Sequence, residues 1–463
     1  MNTNTKAFCS DGLSFGAAPN HHVSVISAAH PGTLPVGNKE HVQKAIKLGL
    51  ALGCSINRTH FFDRKHYFYP DLPKGYQITQ DNQPICIGGT VNIKVGGTEK
   101  EIRIHHIHME EDAGKNIHDL NDEYSLLDLN RAGTPLLELV TEPDLSSGEE
   151  VFAFIAELQK LLRYIDVSDA DMEKGSLRCD CNVSIKPKGV TELGERCEIK
   201  NLNSKRFARE AVKYEALRQI KMKEAGTHFS KQTLHYDPVA NRTQVMREKE
   251  GVADYRYFPD PDLPPMHVTD QELETIKNSL PEMPWAIKAR LKGALKFSED
   301  YAEQLTQSPE VYAYFEQLSE KVNDPKLSAN LVINQILPNL NGGTLSDFPI
   351  SIDECATYLK FIASGKVSAS AAHQQLWPEL LERNNQDIEQ LANELNLVID
   401  QDSNALGQLI AEVVAQNPKQ LQEYKKGKKA LIGFFIGAIM RSSKGGVDPK
   451  QLKKELVSYL DSQ

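Results

Sequence analysis

The densest chemistry in the sequence lies in Ile104-His-His-Ile-His-Met-Glu-Glu-Asp-Ala-Gly-Lys115. Side chains of an extended segment alternate, so His105, Ile107, Met109 and Glu111 are expected on one face and His106, His108 and Glu110 on the other. Adjacent carboxylates repel, and they settle either in solvent or around a cation. A hard cation such as Mg²⁺ takes carboxylate and water oxygens and commonly arrives with phosphate. An acidic, exposed strand end is the simpler account of these residues; a metal site is the alternative. Glu138 sits among Leu136, Leu137, Leu139 and Val140. A carboxylate buried in such a run needs a partner, which makes Glu138 a candidate second ligand.

Two further stretches mix aromatics, prolines and charges: 63–78, from Asp63-Arg-Lys-His-Tyr to Gly-Tyr-Gln-Ile78, and 254–265, from Asp254-Tyr-Arg-Tyr-Phe to Pro265. Stiff loops with planar side chains can wall a pocket or stack on bases, and they can equally be packed corners. The sequence holds no GxxxxGK[ST] loop, no GxGxxG after a strand, and no amidase signature. If the chain uses ATP, it holds the nucleotide by another route.

The elements that would position these residues fall into two zones. Up to about residue 266 helical and strand patterns mix. Asn38 is placed to cap a helix over 39–52 with Val42, Ala45, Ile46 and Leu50 as its apolar stripe. Val91, Ile93 and Val95 alternate, Gly96-Gly97 turns the chain, and Ile102 and Ile104 alternate back as a hairpin. Ser147 and Glu150 predict a capping box, 177–185 a strand, and 204–225 a long helix. Beyond the Pro-rich stretch 259–265, helical periodicity runs almost to the end, with a break near Asp400. The expected class is α+β: a mixed-sheet catalytic domain over 1–266, a helical domain over 267–399, and a small helical tail over 400–463.

Composition sets limits on partners. The longest strongly apolar stretch, 430–440, is too short to cross a bilayer, and the first residues carry no apolar signal core, so a cytoplasmic protein without a membrane partner is expected. The seven cysteines are dispersed, without a CxxC pair. Cys179 and Cys181 are predicted on one strand face as two buried thiols. The net charge is −10, yet residues 419–454 hold ten basic and two acidic side chains, a local +8 on a body of −18. A basic tail on an acidic body suits contact with phosphate at one end; a solvated lysine-rich helix explains it equally.

Six blocks carry a resemblance: Asp63 to Ile78, His108-Met-Glu-Glu-Asp-Ala-Gly-Lys115, Asn130-Arg-Ala-Gly-Thr-Pro135, Glu173-Lys-Gly-Ser-Leu-Arg-Cys-Asp180, Glu198-Ile-Lys-Asn-Leu-Asn-Ser204 and Asp254 to Pro265. In this order they resemble the B subunits of the aspartyl/glutamyl-tRNA(Asn/Gln) amidotransferases, and the helical tail looks like that family's companion module. The resemblance implies a cradle-like catalytic domain and a heterotrimer whose other members are an amidase, A, and a small protein, C. It implies ATP- and Mg²⁺-dependent phosphorylation of the side-chain carboxylate of Glu-tRNA(Gln) or Asp-tRNA(Asn), then displacement of phosphate by glutamine-derived ammonia. Glu111 and Glu138 match metal-site acids, and Lys65 and Lys74 match positions on the ammonia path. Lys425, Lys426, Lys428, Lys429 and Lys444 would lie against tRNA. Family members begin with a strand containing Gly-Leu-Glu-Val-His, whose Glu and His join the metal site; this sequence opens after that point. Many hold a four-cysteine zinc in the early loop; here Cys9 stands with only His21, His22 and His30, so no zinc is expected. A non-catalytic tRNA-binding scaffold and a stand-alone Mg²⁺-dependent phosphotransferase are the rival readings.

Overall fold

The computed structural model describes residues 1–117, 123–248, 254–340, 342–383, 387–399, 403–442 and 449–462. The chain divides into two compact units, Met1–Ala286 and Ile287–Gln463. Among the described residues every strand belongs to the first and the second is helical, an α+β protein.

In the first unit, helix α1 (Lys39–Ala51) begins where expected: the Asn38 carboxamide oxygen accepts from the backbone N–H of Glu40 at 2.8 Å and His41 at 3.3 Å. Such a cap contributes about 1 kcal/mol. Strands β1 (Asp63–His66) and β2 (Tyr76–Thr79) pair antiparallel, and Phe258–Pro259 joins the free edge of β1. The two aromatic, Pro-rich stretches, far apart in sequence, are therefore one small sheet. Arg64 ties them: its guanidinium donates to Asp260 at 2.8 Å and Asp262 at 2.7 Å, and lies 4.3 Å from the Tyr76 ring centre.

The central strand is β3 (Thr98–Glu111), fourteen residues long. Its first half makes the predicted hairpin with Thr90–Val95, closed by Gly96 and Gly97 at φ 58° and 83°. A turn of that kind needs positive φ at both central positions, which glycine adopts without penalty. Its second half pairs with Cys86–Ile87 on one side and with β4 (Pro135–Thr141) on the other. Helix α2 (Gly148–Tyr164) packs beneath the hairpin. Its capping box is half formed: the Ser147 hydroxyl accepts from Glu150 N–H at 3.2 Å, but the Glu150 carboxylate takes the N–H of Ser146 instead of Ser147.

A second sheet runs in the order β5 (Cys179–Val183), β6 (Cys197–Leu202), then β7 (Gln232–Asp237) and β8 (Arg242–Glu248). β6 and β7 are parallel, which requires a crossover, supplied by helix α3 (Lys205–Glu224). One continuous core joins Ile46, Ile78, Ile104, Ile107, Met109, Ile155, Leu158 and Ile199.

In the second unit, the helices Ser403–Gln416, Pro418–Lys425, Ile432–Ser442 and Pro449–Ser462 close around Leu406, Ile410, Phe435, Ile439 and Leu456. The apolar stretch 430–440 thus supplies an inner face of this bundle. Among the described residues no helix is long and apolar enough to cross a membrane.

Candidate active site

The inward face of β3 changes parity along its length. Ile102 and Ile104 are buried, and so are Ile107, Met109 and Glu111, which is possible only if one extra residue is inserted between the two sets. The register with β4 slips there: Val140 faces His106 and Thr141 faces Ile104. At such a bulge two consecutive residues oppose one partner. His105 therefore leaves the face it was expected to share with Glu111 and lies exposed beside His106. The rings form a row: His105 Nδ1 and His106 Nδ1 share a hydrogen bond of 2.7 Å, and His106 Nε2 and His108 Nδ1 one of 3.1 Å. Burial, then His108 and His105, push the His106 pKa down to about 4.

His108 ends the row at an acidic group. Glu138 stands directly across the ladder from His108 and so shares its face. His108 Nε2 lies 3.6 Å from a Glu110 carboxylate oxygen and 3.7 Å from one of Glu138. One ligand atom from each of the three lies within 4.8 Å of the others, a spacing that suits a cation. Glu138 is not sunk in its apolar run: Leu137 and Leu139 turn inward against the core, while 54% of the Glu138 side chain is exposed. Crowding by protein and then Glu110 raise its pKa, opposed by His108 and Lys65.

The other side of β3 is organised differently. Glu111 is buried, 4% of its side chain exposed, and one carboxylate oxygen accepts from the Lys74 ammonium and from Ile78 N–H at 2.9 Å. Gln77 donates to its carbonyl at 2.7 Å. Glu111 and Lys74, with Lys6, Phe8, Arg64 and Tyr76, line a cavity of about 330 Å³. Lys6, which sequence reasoning missed, is fully buried and donates to Ser27 Oγ and the Leu129 carbonyl, both at 3.1 Å, with Asp11 at 3.9 Å. Burial lowers its pKa. Gly133 nearby sits at φ 82°, a backbone conformation glycine adopts without strain; a Cβ there would make only ordinary contacts with Lys6 at 3.4 Å and Glu111 at 3.7 Å.

The expected site residues therefore separate into two sets. Lys74 meets Glu111 on the inner side. Lys65, with its ammonium 5.0 Å from the Tyr255 ring centre, acts on Glu138 at the outer side. Glu111 and Glu138 themselves project to opposite faces, because Glu111 is one residue out of step with the His108 face. Glu110 and His108 complete the outer group, and the period-2 division of the segment was the signal that could have found them. In the tail, Lys425, Lys426, Lys428 and Lys429 are exposed; Lys428 pairs with Glu423 at 3.1 Å and Lys429 with Asp461 at 2.7 Å. Lys444 lies outside the described residues.

Residues 1–274 match the GatB/GatE catalytic domain and residues 313–460 the GatB domain. The chain belongs to the GatB/GatE family. Among curated relatives, the aspartyl/glutamyl-tRNA(Asn/Gln) amidotransferase B subunit of Solidesulfovibrio magneticus is 44% identical over 97% of this chain and 94% of its own length. The proteins of the same name from Desulfotalea psychrophila (42% identical; 97% and 94%) and Persephonella marina (41%; 99% and 97%) are similar over comparable spans. For a GatB/GatE protein, the match to the catalytic-domain family covers every residue of both carboxylate groups described above.

Proposed function

We propose that this chain is the substrate-activating B subunit of a tRNA-dependent amidotransferase. The side-chain carboxylate of Glu-tRNA(Gln) or Asp-tRNA(Asn) attacks the γ-phosphorus of ATP, giving an acyl phosphate and ADP. Glutamine-derived ammonia then attacks the acyl carbon, phosphate leaves, and the amide and a proton are the other products. A carboxylate is a poor electrophile, and phosphorylation supplies the leaving group that amidation requires.

The observation that carries this reading is the His108, Glu110 and Glu138 group, held on one face of β3 and β4 in a chain similar along nearly its whole length to amidotransferase B subunits. Two carboxylates repelling one another beside an imidazole nitrogen fit a divalent cation. We assign Mg²⁺ to Glu110 and Glu138 with His108 beside them, so the geometry supports Glu110 in the place that the family resemblance gave to Glu111. When bound, the ion neutralises charge on the transferring phosphate. Glu111, Lys74 and Lys6 give the cavity behind the strand a polar lining suited to a small polar molecule such as ammonia, and Lys65 stands on the metal side. Lys425, Lys426, Lys428, Lys429 and Lys444 are assigned to tRNA contact. The partners are the amidase and the small third protein of a heterotrimer, together with misacylated tRNA, in the cytoplasm. Residues 1–266 carry the chemistry, and 267–399 and 400–463 serve as helical and tRNA-contacting domains.

The test is glutamine- and ATP-dependent amidation of Glu-tRNA(Gln) by the chain co-purified with both heterotrimer partners. Formation of Gln-tRNA with stoichiometric phosphate release is expected. Binding of tRNA without ATP turnover would establish the scaffold reading instead, and ATP turnover indifferent to tRNA the phosphotransferase.

A further inference from the structure

Cys179 and Cys181 are two residues apart on β5 with their sulfurs 3.8 Å from each other. Both were expected to be buried; the structure buries Cys181, at 9% exposure, but leaves Cys179 half-exposed at the sheet's edge. β5 is an edge strand, paired only with β6 among the described residues. Its register with β6 slips between the two cysteines, where the partner strand carries an extra residue and Asn201 takes φ 60°. Contact with Cys179 and then burial hold the Cys181 thiol well above its ordinary pKa. The two sulfurs thus differ: that of Cys179 is partly open to solvent, and that of Cys181 is buried beside it.

We propose that Cys179 and Cys181 form a reversible, peroxide-responsive dithiol on β5, a modification site beside the candidate active site. The Cys179 thiolate attacks one oxygen of a peroxide, the O–O bond breaks, and a sulfenic acid and hydroxide (or an alkoxide) result; the leaving oxygen takes up the proton the thiol released and departs as water or an alcohol. The Cys181 sulfur then displaces hydroxide from the Cys179 sulfur; hydroxide leaves as water with the thiol's proton, and the disulfide remains. The peroxide takes the two electrons. Two residues along a strand span about 6.6–6.8 Å, the upper end of the roughly 4.4–6.8 Å that a disulfide bridges. Such a bond favours drawing the strand in toward the usual, shorter separation, and a strained, exposed disulfide is readily reduced, which makes it a switch more than a staple.

The strand movement has somewhere to go. Arg178 precedes the pair and donates to Asp112, the neighbour of Glu111. Asp180 lies between the thiols, accepts from Lys200 at 3.1 Å, and adds its charge to the field at Glu138. Closing the ring shifts both groups, so oxidation is expected to lower amidation. That consequence rests on the function proposed above; the disulfide itself does not.

The reduced full chain, given one equivalent of hydrogen peroxide, alkylated and digested, supplies the test by mass spectrometry. The expected product is a peptide in which Cys179 and Cys181 have each lost one hydrogen and resist alkylation until dithiothreitol is added. Cys9, Cys54, Cys86, Cys197 and Cys355, all buried, should remain alkylatable after unfolding. In Cys181→Ala the same dose should leave a sulfenic acid on Cys179 that dimedone traps. Should that variant not fold, Cys179→Ser, in which neither position oxidises, serves in its place. Sulfinic or sulfonic acid at Cys179 with Cys181 still alkylatable would overturn the proposal, as would oxidation confined to the other cysteines. In the amidation assay, the oxidised chain should be several-fold slower, with the rate restored by dithiothreitol and Cys179→Ser insensitive; an unchanged rate in fully oxidised protein would break the link to the site. Failure of the reduced chain to amidate would count against the proposed function and leave the mapping result standing.

Discussion

Two carboxylates that are neighbours in sequence live under opposite rules. Glu111 faces inward, where Lys74 and the N–H of Ile78 answer its charge. Glu110 faces outward, grouped with His108 and a second carboxylate, Glu138. A charge answered by the chain itself is part of the fold; a charge met by another of its own sign is arranged for something that comes from outside. β3 presents one of each because successive side chains of a strand point to opposite faces.

Substitution should break the two faces in different ways. Glu110→Gln or Glu138→Gln should slow amidation by a hundredfold or more, because a phosphate-bridging metal contributes several kcal/mol and each ~1.36 kcal/mol is tenfold in rate. Tm and tRNA affinity should stay nearly unchanged. Full activity in Glu110→Gln together with a dead Glu111→Gln would move the metal to the inner face. On that inner face the primary effect is on stability. Lys74→Met strands a buried carboxylate and should cost about 3–5 kcal/mol in urea unfolding. The double variant Lys74→Met/Glu111→Leu should recover most of that loss, since removing both charges also removes the desolvation penalty. A double variant no better than the single one would mean that Glu111 is held by more than its ion pair.

The inner side should also be the acid-sensitive one. His41 on α1 is buried and donates a hydrogen bond of 2.9 Å to the carbonyl of Leu136, the residue of β4 that pairs with Glu110. Burial pushes its pKa down to about 4, against about 6.5 in an unfolded chain. Between those values the unfolded chain takes up a proton that the folded one refuses, so the stabilising contribution is complete above about pH 6.5 and is lost as pH falls toward about 4. About 2 kcal/mol should be gone by about pH 5, and about 3 kcal/mol at the end of the window. His41→Gln, which keeps a donor but cannot titrate, should flatten the stability difference between about pH 7 and about pH 5; an unchanged slope would place the acid sensitivity elsewhere.

Much of this was legible in advance because it is local. Asn38, the Gly96-Gly97 turn and the long helix after Ser204 announce themselves through nearby residues, and each element begins or turns where its signal stands. The all-helical C-terminal region follows from periodicity in the same way. What the chain conceals is register. Strict alternation puts His105 on the face of Glu111, and a single bulge at His105–His106 overturns that without any glycine in β3 itself to mark it; the glycines at this point, Gly88 and Gly89, lie on the neighbouring segment. The pairing of Glu138 with His108, distant in sequence, depends on how β3 and β4 align, and no residue type along either strand states that alignment. Lys6 is invisible for a related reason: a lysine near the start of a chain reads as solvent-exposed until the Leu129 carbonyl and Ser27 are folded around it.

The same division between answered and unanswered charge sharpens into a smaller prediction at the basic tail. Lys429 already gives its charge to Asp461 at 2.7 Å and lies 4.1 Å from the Tyr424 ring centre; Lys428 pairs with Glu423. Lys426 is exposed and makes no ion pair among the described residues. If the tail contacts the tRNA backbone, a phosphate must compete with Asp461 for Lys429 but meets no such rival at Lys426. Lys426→Gln should therefore weaken tRNA binding at low salt by on the order of 1 kcal/mol and reduce the log–log salt slope by about one. Lys429→Gln should do less to binding while loosening the bundle, since its ammonium bridges the helices Pro418–Lys425 and Pro449–Ser462. Equal losses at the two positions would show that tRNA displaces Asp461, making that ion pair a placeholder for phosphate in the unbound chain.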